Sequence, residues 1–257
     1  MFLFNPQFEI CDPQLTEEAG LERVLNTLVS EMKSTYGDNL VALFLYGSAA
    51  SGDFHEKFSD LNILCVLREI SIELLKKAEK TVTWFVKKGN PPPLFFTLEE
   101  IEQSHDVFPI EFLDMQTNHR LLFGTDILQT LEVERGTHRL ELEHELRTKL
   151  IGLRQNFLTV SHDVRAVEDL MLRSLSAFVT LFRHILMLMG ESVPVLKRDI
   201  IQRFCAKSRV DESLFLRLLK AREEGQAMRA AEVEPLFQRY YEEIAKLIQL
   251  VDQLPKA

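Results

Sequence analysis

The side chains with the clearest chemical potential lie in residues 43–67, LFLYGSAASGDFHEKFSDLNILCVL. An apolar run ends there in Gly47-Ser48. A glycine at such a turn lets backbone N–H groups approach a phosphate closely, and a serine adds a hydroxyl donor. Asp60 follows twelve residues after Ser48 and opens a second apolar run, residues 61–67. Asp60 and Asn62 are two apart, so on a strand both side chains share one face. Two oxygen ligands beside a Gly-Ser turn suit Mg2+ and a nucleoside triphosphate. Magnesium takes oxygen ligands and is commonly shared between one or two carboxylates and substrate phosphates. The plainer reading of the same residues is a strand, a turn and a strand with a capping aspartate.

The elements that would position these groups follow from periodicity. Residues 40–46 and 61–67 are short apolar runs, the mark of buried strands. Asp12-Pro13 can start a helix, which Leu21, Leu25, Leu28 and Met32 continue. Residues 71–89 read as helical and are stopped by Asn90-Pro91-Pro92-Pro93. Residues 94–96 form a short strand, and Thr97-Leu98-Glu99-Glu100 matches a capping box that starts a helix. Residues 108–115, FPIEFLDM, read as a further strand.

The second half offers no strand. Leu146, Leu150, Leu153 and Phe157 keep helical spacing, and residues 167–189 are apolar nearly all round, ending at Gly190. Further helices are expected over 198–207 and 211–224. A last helix starts near Pro235 and puts Leu236, Tyr240, Ile244, Leu247 and Val251 on one face. The sequence therefore predicts an α/β domain with a mixed sheet over residues 1–130, then an all-α helical bundle over 131–257.

Composition narrows the classes of function. The chain has 257 residues and a formal net charge of -9. Residues 1–130 hold 10 Lys/Arg against 20 Asp/Glu, whereas residues 131–257 hold 20 against 19. An acidic chain is poorly suited to sequence-indifferent nucleic-acid binding, which depends on neutralising phosphates. Cys11, Cys65 and Cys205 are scattered without a CxxC pair, which disfavours a disulfide framework or a cysteine-rich zinc site and fits a reducing cytosol. The apolar run Leu175–Met189 is broken by Arg183 and His184 and is shorter than the ~20 residues a membrane span needs. It reads as a buried helix. The N-terminus lacks the basic start and long apolar stretch of a secretory signal, so the expected location is the cytoplasm.

The segment YGSAASGDFHEKFSDLNIL resembles the signature of the polymerase-beta-type nucleotidyltransferases, in which hydrophobic-Gly-Ser is followed after about a dozen residues by Asp-x-Asp. The nearest flavour is the minimal nucleotidyltransferases and the aminoglycoside adenylyltransferases, which also carry a helical C-terminal domain. The resemblance is strong over residues 43–67, weaker to about 126, and architectural beyond. It implies transfer of a nucleoside monophosphate from an NTP, ATP by preference, to an acceptor hydroxyl with Mg2+ or Mn2+. Carried over, Gly47 and Ser48 hold the triphosphate, and Asp60 and Asn62 hold metal. Glu111 is the third acid on a later strand, as ligand or as the base for the acceptor, with Asp114 as the competing choice. The acceptor, whose identity the sequence does not give, would sit between the domains.

One position departs from the pattern. Asn62 stands where the signature has its second aspartate. An amide oxygen remains, but a negative charge is lost, which lowers metal affinity and the stabilisation of charge during transfer. The alternative is therefore a non-catalytic nucleotide-binding or protein-interaction module, with the helical half docking a protein partner. An exposed apolar patch on that half would favour it. Outside the motif, His55 and Arg120 are candidates for phosphate contact, and His119 stands next to Arg120. Arg147 and Arg154 share a helix face, most simply a salt-bridged one beside Glu143 and Glu145. His184 reads as a core histidine with its hydrogen bonds satisfied.

Overall fold

The computed structural model describes residues 13–47, 49–50 and 60–254, with side chains from residue 20 onward. The described residues gather into two compact units. One comprises residues 13–102 with Met115–Gln129, and the other Gln103–Asp114 with residues 130–254.

The first unit is built on a sheet. Helix α1 (Pro13–Tyr36) leads through a 3-10 turn, Gly37–Asn39, into β1 (Leu40–Tyr46). Next come β2 (Asn62–Leu67), α2 (Ile72–Lys77), α3 (Glu79–Val86), β3 (Leu94–Thr97) and α4 (Leu98–Ser104). Helix α5 (Pro109–Thr117) and strand β4 (His119–Gly124) follow. The sheet order is β3-β2-β1-β4. Strand β1 runs antiparallel to β2 and β4, and β2 runs parallel to β3, so the sheet is mixed.

The apolar runs explain the order. Ala42, Leu43, Phe44 and Leu45 are all buried, so both faces of β1 are covered, as a central strand requires. Leu25, Leu28 and Met32 of α1 share one core with Leu43, Leu45, Ile63, Cys65 and Leu67 of the sheet. The capping box forms as the sequence predicts. Thr97 N–H donates to Glu100 Oε2 (2.7 Å) and Glu100 N–H donates to Thr97 Oγ1 (3.1 Å).

Three expectations need correction. Residues 108–115 are not a strand. They belong to α5, with Pro109 at the first helical position, where its missing N–H costs nothing. An eight-residue segment fits either state. Here the buried Pro109, Phe112 and Met115 recur every three residues, as on one helix face, while Glu111 is exposed. The second correction is β4 at residues 119–124, an edge strand with Arg120 and Leu121 exposed, which lacks the continuous apolar signal of β1 and β2. The third is the last helix, which begins at Ala230 and takes Pro235 inside it.

The second unit contains α6 (Arg135–Val160), α7 (Val164–Leu188), α8 (Lys197–Ser208), α9 (Glu212–Glu224) and α10 (Ala230–Asp252). Helix α7 is the axis, packing against the other four. It is long and apolar enough to cross a membrane, but Met171, Leu175, Phe178, Phe182 and Ile185 are spent on the core of the bundle. Asp163 caps it, accepting from the N–H groups of Arg165 (2.8 Å) and Ala166 (3.2 Å).

Two polar groups on α7 are buried with partners. Glu168 accepts from Arg165 Nη1 and from the Met228 N–H, both at 2.6 Å. His184 Nδ1 lies 2.9 Å from His138 Nε2, and its Nε2 lies 3.2 Å from Asp114 Oδ1. His184 is thus a core histidine hydrogen-bonded through Nδ1 only; its Nε2 is close to Asp114 but makes no hydrogen bond, so the expected full satisfaction is not met. Burial, with His184 close by, pushes the His138 imidazole down to about 3.

Candidate functional site

The site in the sheet unit is the end of β1. Tyr46, its last residue, pairs with Asn62 on one side and His119 on the other. The chain then leaves through Gly47, which takes φ +80°. Gly47 N–H donates to the carbonyl of Asn118 (3.0 Å), and the Ala50 N–H donates back to the carbonyl of Gly47 (3.0 Å). The result is a tight turn in the left-handed region that glycine favours. A Cβ at position 47 would stand 3.3 Å from Asn62 Nδ2. The Asn62 carboxamide therefore lies close to the glycine. Ser48 and His55 lie outside the described residues.

Asp60 is exposed and lies two residues ahead of β2, outside the strand on which it was expected to share a face with Asn62. The entry to β2 is fixed by Asn90, whose Oδ1 accepts from the Leu61 N–H (3.1 Å) and whose Nδ2 donates to the Phe85 carbonyl (3.3 Å). Asn90 opens the Asn-Pro-Pro-Pro stop. The residue that ends one helix thus positions the strand carrying Asn62.

Strand β4 brings a group that sequence reasoning left without a role. His119 Nδ1 lies 2.8 Å from the Met115 carbonyl and 3.1 Å from that of Gln116, while its Nε2 lies 3.0 Å from Asp126 Oδ2. All three partners are acceptors, so these contacts coexist as hydrogen bonds when both ring nitrogens carry protons. Burial opposes charge on Asp126, but the His119 hydrogen bond and charge, with the N–H groups of Gln129 and Leu128, outweigh it and lower its pKa. Arg120, next in the chain, is turned to a bidentate pair with Glu22 at 2.6 and 2.9 Å.

The third acid is not where the resemblance puts it. None of the four described strands (LVALFLY, NILCVL, LFFT, HRLLFG) contains Asp or Glu. Strand β3, beside β2, presents Phe95 and Phe96. Glu111 and Asp114 lie on α5 and belong to the helical unit. The protein around the Glu111 carboxyl, together with the charges of Glu141, Glu145 and Asp114, raises its pKa against the pull of its own backbone N–H. Asp114 goes the other way. Burial opposes its charge, but the neighbouring His184 and Arg183 hold its pKa down. Of the two, Asp114 is tied into structure by His184 and Arg183, whereas Glu111 is exposed and its pKa is raised.

Asn118, Asp126 and Asn90 were not singled out by spacing. Asn118 is 71 residues beyond Gly47, and only the β1–β4 pairing joins them. Among the described residues, the segment from Gly47 to β2 offers one carboxylate, Asp60, and one amide, Asn62. These oxygen donors suit a magnesium ion that would keep water and phosphate ligands.

No protein-family model matches the chain, and no curated protein matches it. Among solved structures, the chain is similar to the spectinomycin adenyltransferase AAD(9) from Enterococcus faecialis, a crystal structure with ATP and spectinomycin. The TM-score is 0.55 at 13% sequence identity, and the match covers 87% of this chain and 99% of that one. The chain thus has the fold of a nucleotidyltransferase, a mixed four-stranded sheet with helices followed by a helical region.

Proposed function

We propose that this chain binds a magnesium–nucleoside triphosphate, ATP by preference, at the end of β1 and transfers its nucleoside monophosphate to a hydroxyl of a small-molecule acceptor. The observation that carries the reading is the Gly47 turn, with the Asn62 carboxamide close to it and Asp60 at the entry to β2, on a nucleotidyltransferase fold. Ser48 would donate to phosphate oxygens, and Gly47, whose N–H is held by the Asn118 carbonyl, would let them approach the turn. Asp60 and the amide oxygen of Asn62 would hold the magnesium, which neutralises phosphate charge. Glu111, with its raised pKa, is assigned the role of base, taking the acceptor's proton as its oxygen attacks the α-phosphorus and pyrophosphate leaves. The structural neighbour, solved with ATP and spectinomycin, supports both the nucleotide and a small acceptor.

A second reading is nucleotide binding without turnover. Asn62 and the carboxylate-free strands favour it. Pyrophosphate release from ATP across a panel of hydroxylated small molecules separates the two. The transferase reading expects acceptor-dependent release that Asp60→Ala abolishes and Glu111→Gln slows by about 10²–10⁴-fold. ATP binding without release for any acceptor leaves the binding reading, and release indifferent to Asp60→Ala overturns the site.

A further inference from the structure

The exposed face of α6 carries a pattern that the nucleotide site does not use. Leu140, His144, Arg147, Ile151, Arg154 and Leu158 are all exposed. They recur at intervals of four, three, four, three and four, which keeps them within a single stripe of the helix. Three of the six are large apolar side chains, with 65%, 51% and 76% of their surface open at Leu140, Ile151 and Leu158. Such a stripe on an otherwise charged helix calls for a covering surface.

A second copy of the same stripe can cover it. The spacing is palindromic about residue 149. Run antiparallel against itself, the stripe sets Leu140 against Leu158, His144 against Arg154, and Arg147 against Ile151. The same symmetry sets residues 140–146, which carry Glu141, Glu143 and Glu145 with no Lys or Arg, against residues 152–158, which carry Arg154 and no acid.

Glu143 and Arg154 are eleven residues apart, about three turns, so they lie on the same flank of the stripe. A twofold axis perpendicular to the helix keeps flanks together, so it brings Arg154 of one copy beside Glu143 of the other, whose Oε1 already accepts from Arg147 of its own chain. Among the described residues Arg154 has no carboxylate partner and rests on the Tyr241 ring and hydroxyl. Leu158 borders a recess of about 420 Å³ that Phe157, Phe237 and Tyr241 help to line. It is an apolar seat for Leu140 of the second copy. We propose that this stripe is the twofold interface of a homodimer, with the α6 helices antiparallel.

The test is mass in solution together with directed cross-linking. Light scattering on the eluting wild-type protein is expected to give twice the 29.8 kDa chain mass. Ile151→Lys is expected to return it to one chain with unchanged circular dichroism. Glu143→Arg and Arg154→Glu should each weaken the dimer, and the two together should restore it. In a Cys11→Ser background, Leu140→Cys chains mixed with Leu158→Cys chains should form a disulfide-linked pair under oxidation, while neither variant links to itself. A single-chain mass for the wild type at every concentration overturns the proposal. So does a dimer indifferent to Ile151→Lys, or self-linking of Leu140→Cys, which marks a parallel pairing. None of these readouts depends on nucleotide.

Discussion

Two glycines at opposite ends of the sheet allow the steric part of the fold to be measured apart from backbone strain. Gly47 and Gly124 have nearly the same conformation, φ +80° and +87°. Forcing an L side chain into this region costs about 1–2 kcal/mol at either position. What differs is the neighbour. A Cβ at position 47 meets the Asn62 amide nitrogen at 3.3 Å, the end of a side chain that can yield by a few tenths of an ångström.

At position 124 a Cβ would stand 2.0 Å from the Val41 carbonyl oxygen and 2.9 Å from Ala42 Cα. That backbone belongs to the central strand, held by β2 on one side and β4 on the other. It cannot retreat without opening the Ala42–Gly124 pairing. Overpacking of this kind adds about 1–3 kcal/mol, and the lost pairing adds to it. Gly47→Ala should therefore cost about 1–2 kcal/mol and Gly124→Ala about 3–5 kcal/mol.

Urea unfolding followed by the fluorescence of Trp84 reads the sheet unit, because Trp84 is the chain's only tryptophan and sits on α3. The midpoint should fall further in Gly124→Ala at an unchanged slope. Equal costs at the two positions would refute the claim that β4 is registered against the backbone of β1.

Other outcomes follow from the buried polar groups. The unfolded His138 takes up its proton near pH 6.5, whereas burial in the helical unit pushes it down to about 3. The stability of that unit should accordingly fall as pH drops through this window, by up to about 1.4 kcal/mol per pH unit, and His138→Gln should flatten the dependence in a series of urea melts. Glu168→Ala leaves the buried Met228 N–H without its acceptor, while the exposed Arg165 keeps the Met228 carbonyl, and should cost about 1–3 kcal/mol, read by circular dichroism. Asp126 has its pKa lowered in the fold, so its contribution is present above the ordinary carboxylate range and lost as pH falls through its folded value. Asp126→Asn should be less stable than wild type at neutral pH, and the gap should close in acid.

The parts of the fold legible in the sequence are those whose burial is complete. Residues 40–46 and 62–67 are strands because their runs are covered on both faces, and α7 announces itself by apolar residues over 25 positions. The segment FPIEFLDM is too short for periodicity to decide, and Pro109, a helix starter, was the cue that outweighed its apolar run. Strand β4 is half open to solvent and carries no alternation. His119 and its bond to Asp126, and the Asn118 carbonyl under Gly47, were therefore invisible before the pairing of β1 with β4 was known. The closeness of Gly47 and Asn62 was readable because a turn and two flanking strands lie within one continuous segment.

Calorimetric titration with ATP, with and without Mg2+, on wild type, Asn62→Asp and Asp60→Ala, tests the nucleotide site most directly. The expected result is saturable, magnesium-dependent binding to the wild type, tightened when Asn62→Asp restores the second carboxylate and lost in Asp60→Ala. Absence of binding for any nucleotide in both wild type and Asn62→Asp would contradict it, and would leave the Gly47 turn a feature of the fold alone.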